Sequence, residues 1–428
     1  MFKYFKKVKE YIKKDIIPGI SKAGSSNIVQ AISGGLMFTL PITLTAAVFS
    51  IFAKFPIPSI ANWLSKTGLT VHFNAVLGGT LNLIAIFTVV SISYTYTKLL
   101  KKPNTNPLIA AFMALAAFII LIPQTVGKTS ALSMTYLGST GMFVGIILGL
   151  GIAKLYTILA QKKHLTIKLP DTVPPMVTES FRPLIVSFII LVLVLLIRIG
   201  FAVTPFKTFY AFINLIVTTP LMKLGSSIPA WIAIGTIANL LFFFGVHPNA
   251  INSALTPILL TMAYKNLEAY QKGITIPYKA NLIVDSFLNN DAVGSTFSLL
   301  VVILVVAKSK RYRSLAKLAI VPNFFNINEP VIFGLPVMLN PFLLIPFFFS
   351  TIITGVIGWV GAATGFISYY NPAFVLALPW TTPKVIASFF TQGWQGVVLR
   401  VACFVVICFV YLPFVKMMDR TELKKERN

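Results

Sequence analysis

Acidic side chains are scarce in this chain. Asp and Glu together number 11 among 428 residues, and all charged types make up only 11% of the sequence. A soluble domain carries about 25% charged residues, so the composition excludes an ordinary water-facing globule. Cysteine is nearly missing: Cys403 and Cys408 are the whole supply, and both sit inside the last apolar run. Five positions apart on a helix, they do not face one another. That excludes a disulfide framework or a cysteine metal set and leaves no exposed thiol to act as a nucleophile. No metal site and no cofactor is expected.

What is there instead is apolar surface. Hydrophobic residues make up 56% of the chain, and several apolar runs exceed the roughly 20 residues that cross a bilayer. The fold class expected is an all-α polytopic membrane protein, with room for about ten transmembrane helices plus shorter re-entrant hairpins. The net charge of +25 would suit nucleic acid, but its distribution argues against that. Most of the 36 Lys and Arg fall in five short segments: 1–22, 98–102, 154–182, 308–317 and 416–427. This is the positive-inside pattern of cytoplasmic loops, and it puts both termini on the cytoplasmic side. Lipid is an expected partner, nucleic acid is not, and none of these cations is assigned to substrate.

The first 22 residues set Phe2, Tyr4, Phe5, Val8, Tyr11 and Ile12 against Lys3, Lys6, Lys7, Lys9, Lys13 and Lys14. This reads as an amphipathic helix lying on the inner leaflet. Asp15, Pro18 and Gly19 interrupt it before the first apolar run, and no small-residue cleavage site follows, so it is not a cleaved signal peptide. Spans are then expected at about 31–52, 73–96 and 107–123, and through Gly141, Gly145, Gly149 and Gly151. Gly141, Gly145 and Gly149 form a small-residue stripe suited to close helix contact. Packing is likewise the favoured reading of Ser91-Ile92-Ser93-Tyr94. The connector 161–182 contains Pro174-Pro175, which stiffens it, and the boundary between two halves is placed there. His164, in its Lys-rich start, reads as a solvated residue.

The second half contains polar exceptions. Val321-Pro322-Asn323-Phe324-Phe325-Asn326-Ile327-Asn328-Glu329-Pro330 holds three asparagines and a carboxylate between prolines, and Pro336 follows. Each proline lacks an N–H and clashes with the preceding turn, so no unbroken helix runs through. Broken backbone at membrane depth persists only where it is buried in protein or lines a wet cavity. An ionisable residue there is a functional site by default. Glu329, Asn326 and Asn328 are therefore the first candidates for a polar-ligand site. His247, in Phe244-Gly245-Val246-His247-Pro248-Asn249, is the next. Asn289, Asn290 and Asp291 either cap the helix that follows them or reach a ligand hydroxyl. Residues 250–280, interrupted by Pro257, suit a re-entrant hairpin and a loop. Trp380, between Pro379 and Pro383, is either an interfacial anchor or a platform for the apolar face of a sugar ring.

The segment Asn326-Ile327-Asn328-Glu329-Pro330-Val331-Ile332-Phe333-Gly334-Leu335-Pro336 resembles a family signature. The family is the sugar-transporting membrane component, enzyme IIC, of the bacterial phosphotransferase system, in its lactose/cellobiose branch. The resemblance extends to Ser91–Tyr94, Tyr136–Phe143, the 161–182 connector, the approach to His247, and Pro379-Trp380-Thr381-Thr382-Pro383. It covers nearly the whole chain. The chain departs from the family at Pro248, where Gly is common, at Leu241-Phe242, where a Trp lies near, and at 289–295, where a Gly-rich turn is reduced to Gly294-Ser295.

The resemblance implies a permease of the bacterial cell membrane. Residues 1–22 would be a cytoplasmic helix and 23–180 a scaffold half through which the family forms homodimers. Residues 181–415 would be the sugar-binding transport half, with re-entrant hairpins, and 416–428 a cytoplasmic tail. A disaccharide such as cellobiose, diacetylchitobiose or lactose would bind His247, Glu329, Asn326, Asn328 and Trp380, with Asn249, Asn289 and Asp291 as further contacts. An elevator-like movement of the transport half would carry it inward. A separate phosphorylated enzyme IIB, supplied by an upstream IIA, would phosphorylate it. Glu329 and His247 would orient the reacting hydroxyl, with Glu329 accepting its proton. No soluble segment here is long enough to be the B component, so the donor is expected on another polypeptide. The residues alone leave a second reading open: an ion-coupled secondary transporter of a polar solute, with Glu329 or Asp291 as the proton-coupling group.

Overall fold

The computed structural model describes residues 26–55, 58–167, 170, 172, 174–244, 249–288, 290–328, 330–335, 337–338 and 340–427. The amphipathic segment expected at 1–22 lies outside them. The helices fall into two compact units: residues 24–223 with 253–264, and residues 224–252 with 265–428.

The N-terminal unit is built from α1 (Asn27–Ala53), α2 (Leu69–Gly78), α3 (Ile84–Leu100), α4 (Pro107–Leu121), α5 (Met142–Ala160) and α6 (Leu184–Ala202). Pro41 sits inside α1, and the helix bends by 42° between Thr43 and Thr45, as a proline that removes one backbone bond allows. Asn106 caps α4, its Oδ1 accepting from the N–H of Leu108 at 2.9 Å, with Pro107 at the first helical position, where no N–H is needed. Helix α3 packs against α1, α4 and α5. The glycine stripe of α5 makes that approach possible: a Cβ on Gly145 would lie 3.0 Å from the carbonyl oxygen of Ala85, and one on Gly149 3.1 Å from that of Val89. Ile92 and Ser93 are buried in the same packing. Helix α6 buries Val186, Ile190 and Val194 against α4 and α5 and leaves Phe188, Leu196 and Ile199 exposed. A helix apolar all round with half its surface uncovered is one made for lipid. Its packing also sets where the units divide: 184–202 belongs with the N-terminal helices, so the division falls at Lys223 and Leu224, beyond the 161–182 connector.

The C-terminal unit contains α7 (Ile228–Phe243), the ends of α8 (Asn249–Lys272), then α9 (Lys279–Leu288), α10 (Thr296–Val306), α11 (Lys310–Phe324), α12 (Leu344–Ala363) and α13 (Lys384–Arg427). Residues 249–272 do not make a hairpin: they form one helix of 24 residues with Pro257 inside it. The Thr261 hydroxyl donates back to the Pro257 carbonyl at 2.7 Å, a threonine back-bond of the kind that often bends a helix. The core gathers Leu299, Leu300 and Ile303 of α10, Tyr312 and Ala316 of α11, Phe347 of α12, and Ile407, Tyr411 and Val415 of α13.

Helix α13 is 44 residues long, with one break at Gly393, whose φ is 70°. The charged segment after residue 415, expected as a cytoplasmic tail, continues this helix to Arg427. Its acids recur at 419, 422 and 426, on one face, and meet the start of α11. Asp419 accepts from the N–H groups of Lys308 and Ser309, both at 2.9 Å. Glu426 accepts from the Ser309 hydroxyl at 2.6 Å and the Arg311 N–H at 3.2 Å, and Glu422 pairs with Arg311 at 2.8 Å. Unsatisfied N–H groups and the positive end of the dipole make a helix start a natural seat for carboxylates.

Among the described residues, six helices are long and apolar enough to cross a membrane, and up to eight if each bent pair counts as one span. The all-helical, multi-span class stands. The count is below the expected ten because α4 has only 15 residues and 209–225 with 228–243 is a single broken pair.

Candidate functional site

The polar residues of the C-terminal unit converge where α11 ends and α13 begins. Helix α11 stops at Phe324, and Asn326 takes a left-handed φ of 65°, a conformation Asn tolerates better than most residues. This turns the Asn326 side chain toward the segment before α13. Its Nδ2 donates to the backbone carbonyls of Trp380 at 2.8 Å and Thr382 at 2.9 Å. Both amide hydrogens are thereby used on backbone, and only the Asn326 carbonyl oxygen is left for a ligand. The backbone of Trp380 is held in this way while 67% of the residue remains exposed.

Asn328 is buried. Its backbone carbonyl accepts from Val331 at 3.0 Å and Ile332 at 2.9 Å, opening a single π turn at Pro330–Gly334, a form frequent at functional sites. Its Nδ2 is buried without a partner, a donor available to a ligand. Glu329, His247 and Asn289 lie outside the described residues. Asn249 begins α8, and its side chain is likewise outside them.

The turn between α9 and α10 carries positive φ at Ala292 (76°), Gly294 (67°) and Ser295 (53°). At the non-glycine positions, Ala292 and Ser295, such backbone costs about 1–3 kcal/mol each and persists only where its surroundings hold it. Here Tyr411 donates its hydroxyl to the Gly294 carbonyl at 2.6 Å. Glycine is needed at 294, since a Cβ there would fall 2.1 Å from the Phe347 ring. Asp291 caps α10: its Oδ2 accepts from the Ser298 N–H at 2.8 Å and from the Ser298 hydroxyl. This is the capping role open to it from the sequence.

Arg400 of α13 completes the cluster. Its Nη1 donates to the Asn290 carbonyl at 2.7 Å and its Nη2 to the Ser286 carbonyl at 2.9 Å, while Nε donates to the Ser388 hydroxyl. The guanidinium lies 4.8 Å from the Phe287 ring centroid. A cavity of about 150 Å³ brings together Asn290, Asp291, Asn323, Asn326, Lys384 and Arg400, walled by Phe297, Phe324 and Phe404. A larger groove of about 750 Å³ runs between α7 and α12, with Ser226, Ser227 and Thr236 among a mainly apolar lining; among the described residues, it contains none of the candidates read from the sequence. The cavity therefore unites Asn326 and Asp291 and adds Arg400, Asn290, Asn323 and Lys384, while Trp380 is joined to Asn326 through its backbone carbonyl. A signal for Arg400 was present: it is the only charged residue between Lys384 and Lys416. Among the described residues, no three His, Cys, Asp or Glu side chains gather as a metal set.

A multi-span helical protein with broken backbone around a buried amide-rich site has the build of a membrane permease for a polar solute. The family model for the phosphotransferase system EIIC component matches residues 33–351. The galactose-specific EIIC component of Lactococcus lactis subsp. cremoris is 34% identical over 98% of this chain and 97% of its own. The cellobiose-specific EIIC component of Geobacillus stearothermophilus is 30% identical over 96% of this chain and 94% of its own. The crystal structure of ChbC, the IIC component of an N,N'-diacetylchitobiose-specific phosphotransferase system, superposes with a TM-score of 0.88. It shares 28% identity and covers 98% of this chain and 99% of that one. The chain belongs to the EIIC family of the phosphotransferase system, and is a multi-pass sugar permease component.

Proposed function

We propose that this permease takes up a disaccharide of the β-linked class, or a galactoside, and presents it for phosphorylation inside the cell. The observation that carries the reading is the Asn326–Trp380 junction. It ties the backbone of an exposed tryptophan to the amide-rich end of α11, and a sugar needs both kinds of group: rings stack against its apolar C–H face, and amides exchange hydrogen bonds with its hydroxyls. Relatives named for galactose, cellobiose and diacetylchitobiose support the substrate class. Asn326, Asn328 and Trp380 bind the sugar, with His247 and Glu329 beside them and Asn249, Asn289 and Asp291 as outer contacts. Buried polar groups of this kind reject ligands that leave them unpaired.

In this reading the C-terminal half carries the sugar by alternating access, and the N-terminal half is the scaffold of a homodimer. The division of the helices into two compact units supports it. The protein lies in a bacterial cell membrane with both termini cytoplasmic, as the clustering of cations in short segments supports. A separate phosphorylated enzyme IIB transfers its phosphoryl group to the sugar, and Glu329 and His247 orient the hydroxyl that receives it. The test is binding of radiolabelled galactose, cellobiose, lactose and diacetylchitobiose to purified protein, beside Glu329→Ala and His247→Ala. Saturable binding of one sugar, lost in both variants, is expected. A well-folded wild type that binds none of them contradicts the reading.

A further inference from the structure

Two side chains on the wall of the 150 Å³ cavity have unfinished hydrogen bonding. Asn290 is 3% exposed and Asn323 is 1% exposed. Each spends its amide nitrogen on protein, Asn290 on the Arg400 carbonyl at 3.4 Å and Asn323 on the Thr296 hydroxyl at 3.0 Å. Each leaves its Oδ1 buried with no donor. An unpaired buried acceptor costs about 1–3 kcal/mol, so two on one wall point to an occupant that donates hydrogen bonds.

The charges narrow the occupant. Among the described residues, Arg400 and Lys384 line the cavity against one carboxylate, Asp291, so their charges do not favour a cation. An anion is no better served: all three kinds of Arg400 nitrogen already donate to protein oxygens, and the two unpaired amide oxygens would repel it. A neutral O–H donor remains, from water or from a sugar. At roughly 30 Å³ per water, the cavity suits a few waters or one hydroxyl-bearing edge of a ring, and is too small for a whole disaccharide.

We propose that this cavity is a hydroxyl subsite, in which Asn290 and Asn323 accept hydrogen bonds from one edge of the bound sugar. The proposal rests on the permease reading above. Asn326 lies on the same wall and also binds the backbone of Trp380, which links the cavity to the proposed sugar site. Arg400 acts as a positioning residue, fixing the Asn290 backbone through the carbonyl it binds.

The test uses the purified full-length protein with cellobiose and lactose as probes, each with its series of monodeoxy analogues, and the variants Asn290→Leu and Asn323→Leu. In the wild type, at least one deoxy analogue is expected to bind about tenfold more weakly than its parent, a difference of about 1.4 kcal/mol. Each variant should lose about tenfold for the parent sugar, yet bind that one analogue as well as the wild type does, because the partner hydroxyl is already gone. An equal loss for the parent and every analogue would show that the cavity holds only water, and overturns the proposal. So does unchanged affinity in both variants. Should both variants fail to fold, a wild type indifferent to every deoxy position overturns it alone. A wild type that binds neither sugar is a different result, contradicting the disaccharide reading itself before any variant is compared.

Discussion

Asn326 gives both hydrogens of its side-chain amide to backbone carbonyls before α13, those of Trp380 at 2.8 Å and Thr382 at 2.9 Å. One side chain at the end of α11 thus ties down the backbone that carries Trp380. Asn326→Gly keeps the left-handed backbone and removes the amide. With two hydrogen bonds worth about 1 kcal/mol each, it should lower stability by roughly 1–2 kcal/mol and weaken sugar binding. Asn326→Ala adds the cost of a Cβ in the left-handed region, about 1–2 kcal/mol more. Thermal unfolding in detergent with binding isotherms checks both. A glycine variant as stable and as tight-binding as the wild type would remove Asn326 from the site.

The α3–α5 contact makes a second prediction through two glycines on one helix. A Cβ on Gly145 would press against the Ala85 carbonyl at 3.0 Å, whereas one on Gly151 would meet nothing within 4 Å. Gly145→Ala should cost about 1–3 kcal/mol by overpacking. Gly151→Ala should be neutral or gain roughly 0.5–1 kcal/mol from helix propensity. Melting temperatures of the two variants should move apart, and equal shifts would contradict the close approach.

Asp419 holds the first N–H groups of the α11 entry. Asp419→Ala should loosen that entry by about 1–2 kcal/mol, the usual worth of a helix cap. The basic segment offers trypsin Lys308, Lys310, Arg311 and Arg313. Where cleavage follows opening, it should speed up there by roughly five- to thirtyfold. Cleavage at Lys162 and Lys163 serves as the internal control and should not change. Uniform acceleration at both places would mean general destabilisation and no specific clasp.

Much of this was legible in the residues because membranes simplify the code. Apolar runs, cation clusters and proline-bracketed asparagines each follow from the cost of polar groups in hydrocarbon, and they marked the fold class and one wall of the site. Pairings distant in sequence were not legible. Nothing in Asn326 names Trp380 as its partner. Nothing in Asp419, Glu422 or Glu426 names the start of α11 as the partner of their common face. Arg400 is a different case: a lone charge in an apolar run is a strong signal by itself, and it anchors Asn290 and Ser286 in the fold. The 250–280 segment misled because Pro257 normally ends a helix, whereas in α8 the helix runs through it.

The most direct test of the central claim is the chemical form of the sugar after uptake. Membrane vesicles containing this protein, supplied with a phosphorylated IIB component, would be given a radiolabelled disaccharide that binds it. The expected result is internal label recovered as phosphosugar, dependent on the phosphoryl donor and unaffected by a protonophore. Accumulation of unmodified sugar, independent of the donor and abolished by the protonophore, would contradict a phosphotransferase permease and identify an ion-coupled transporter.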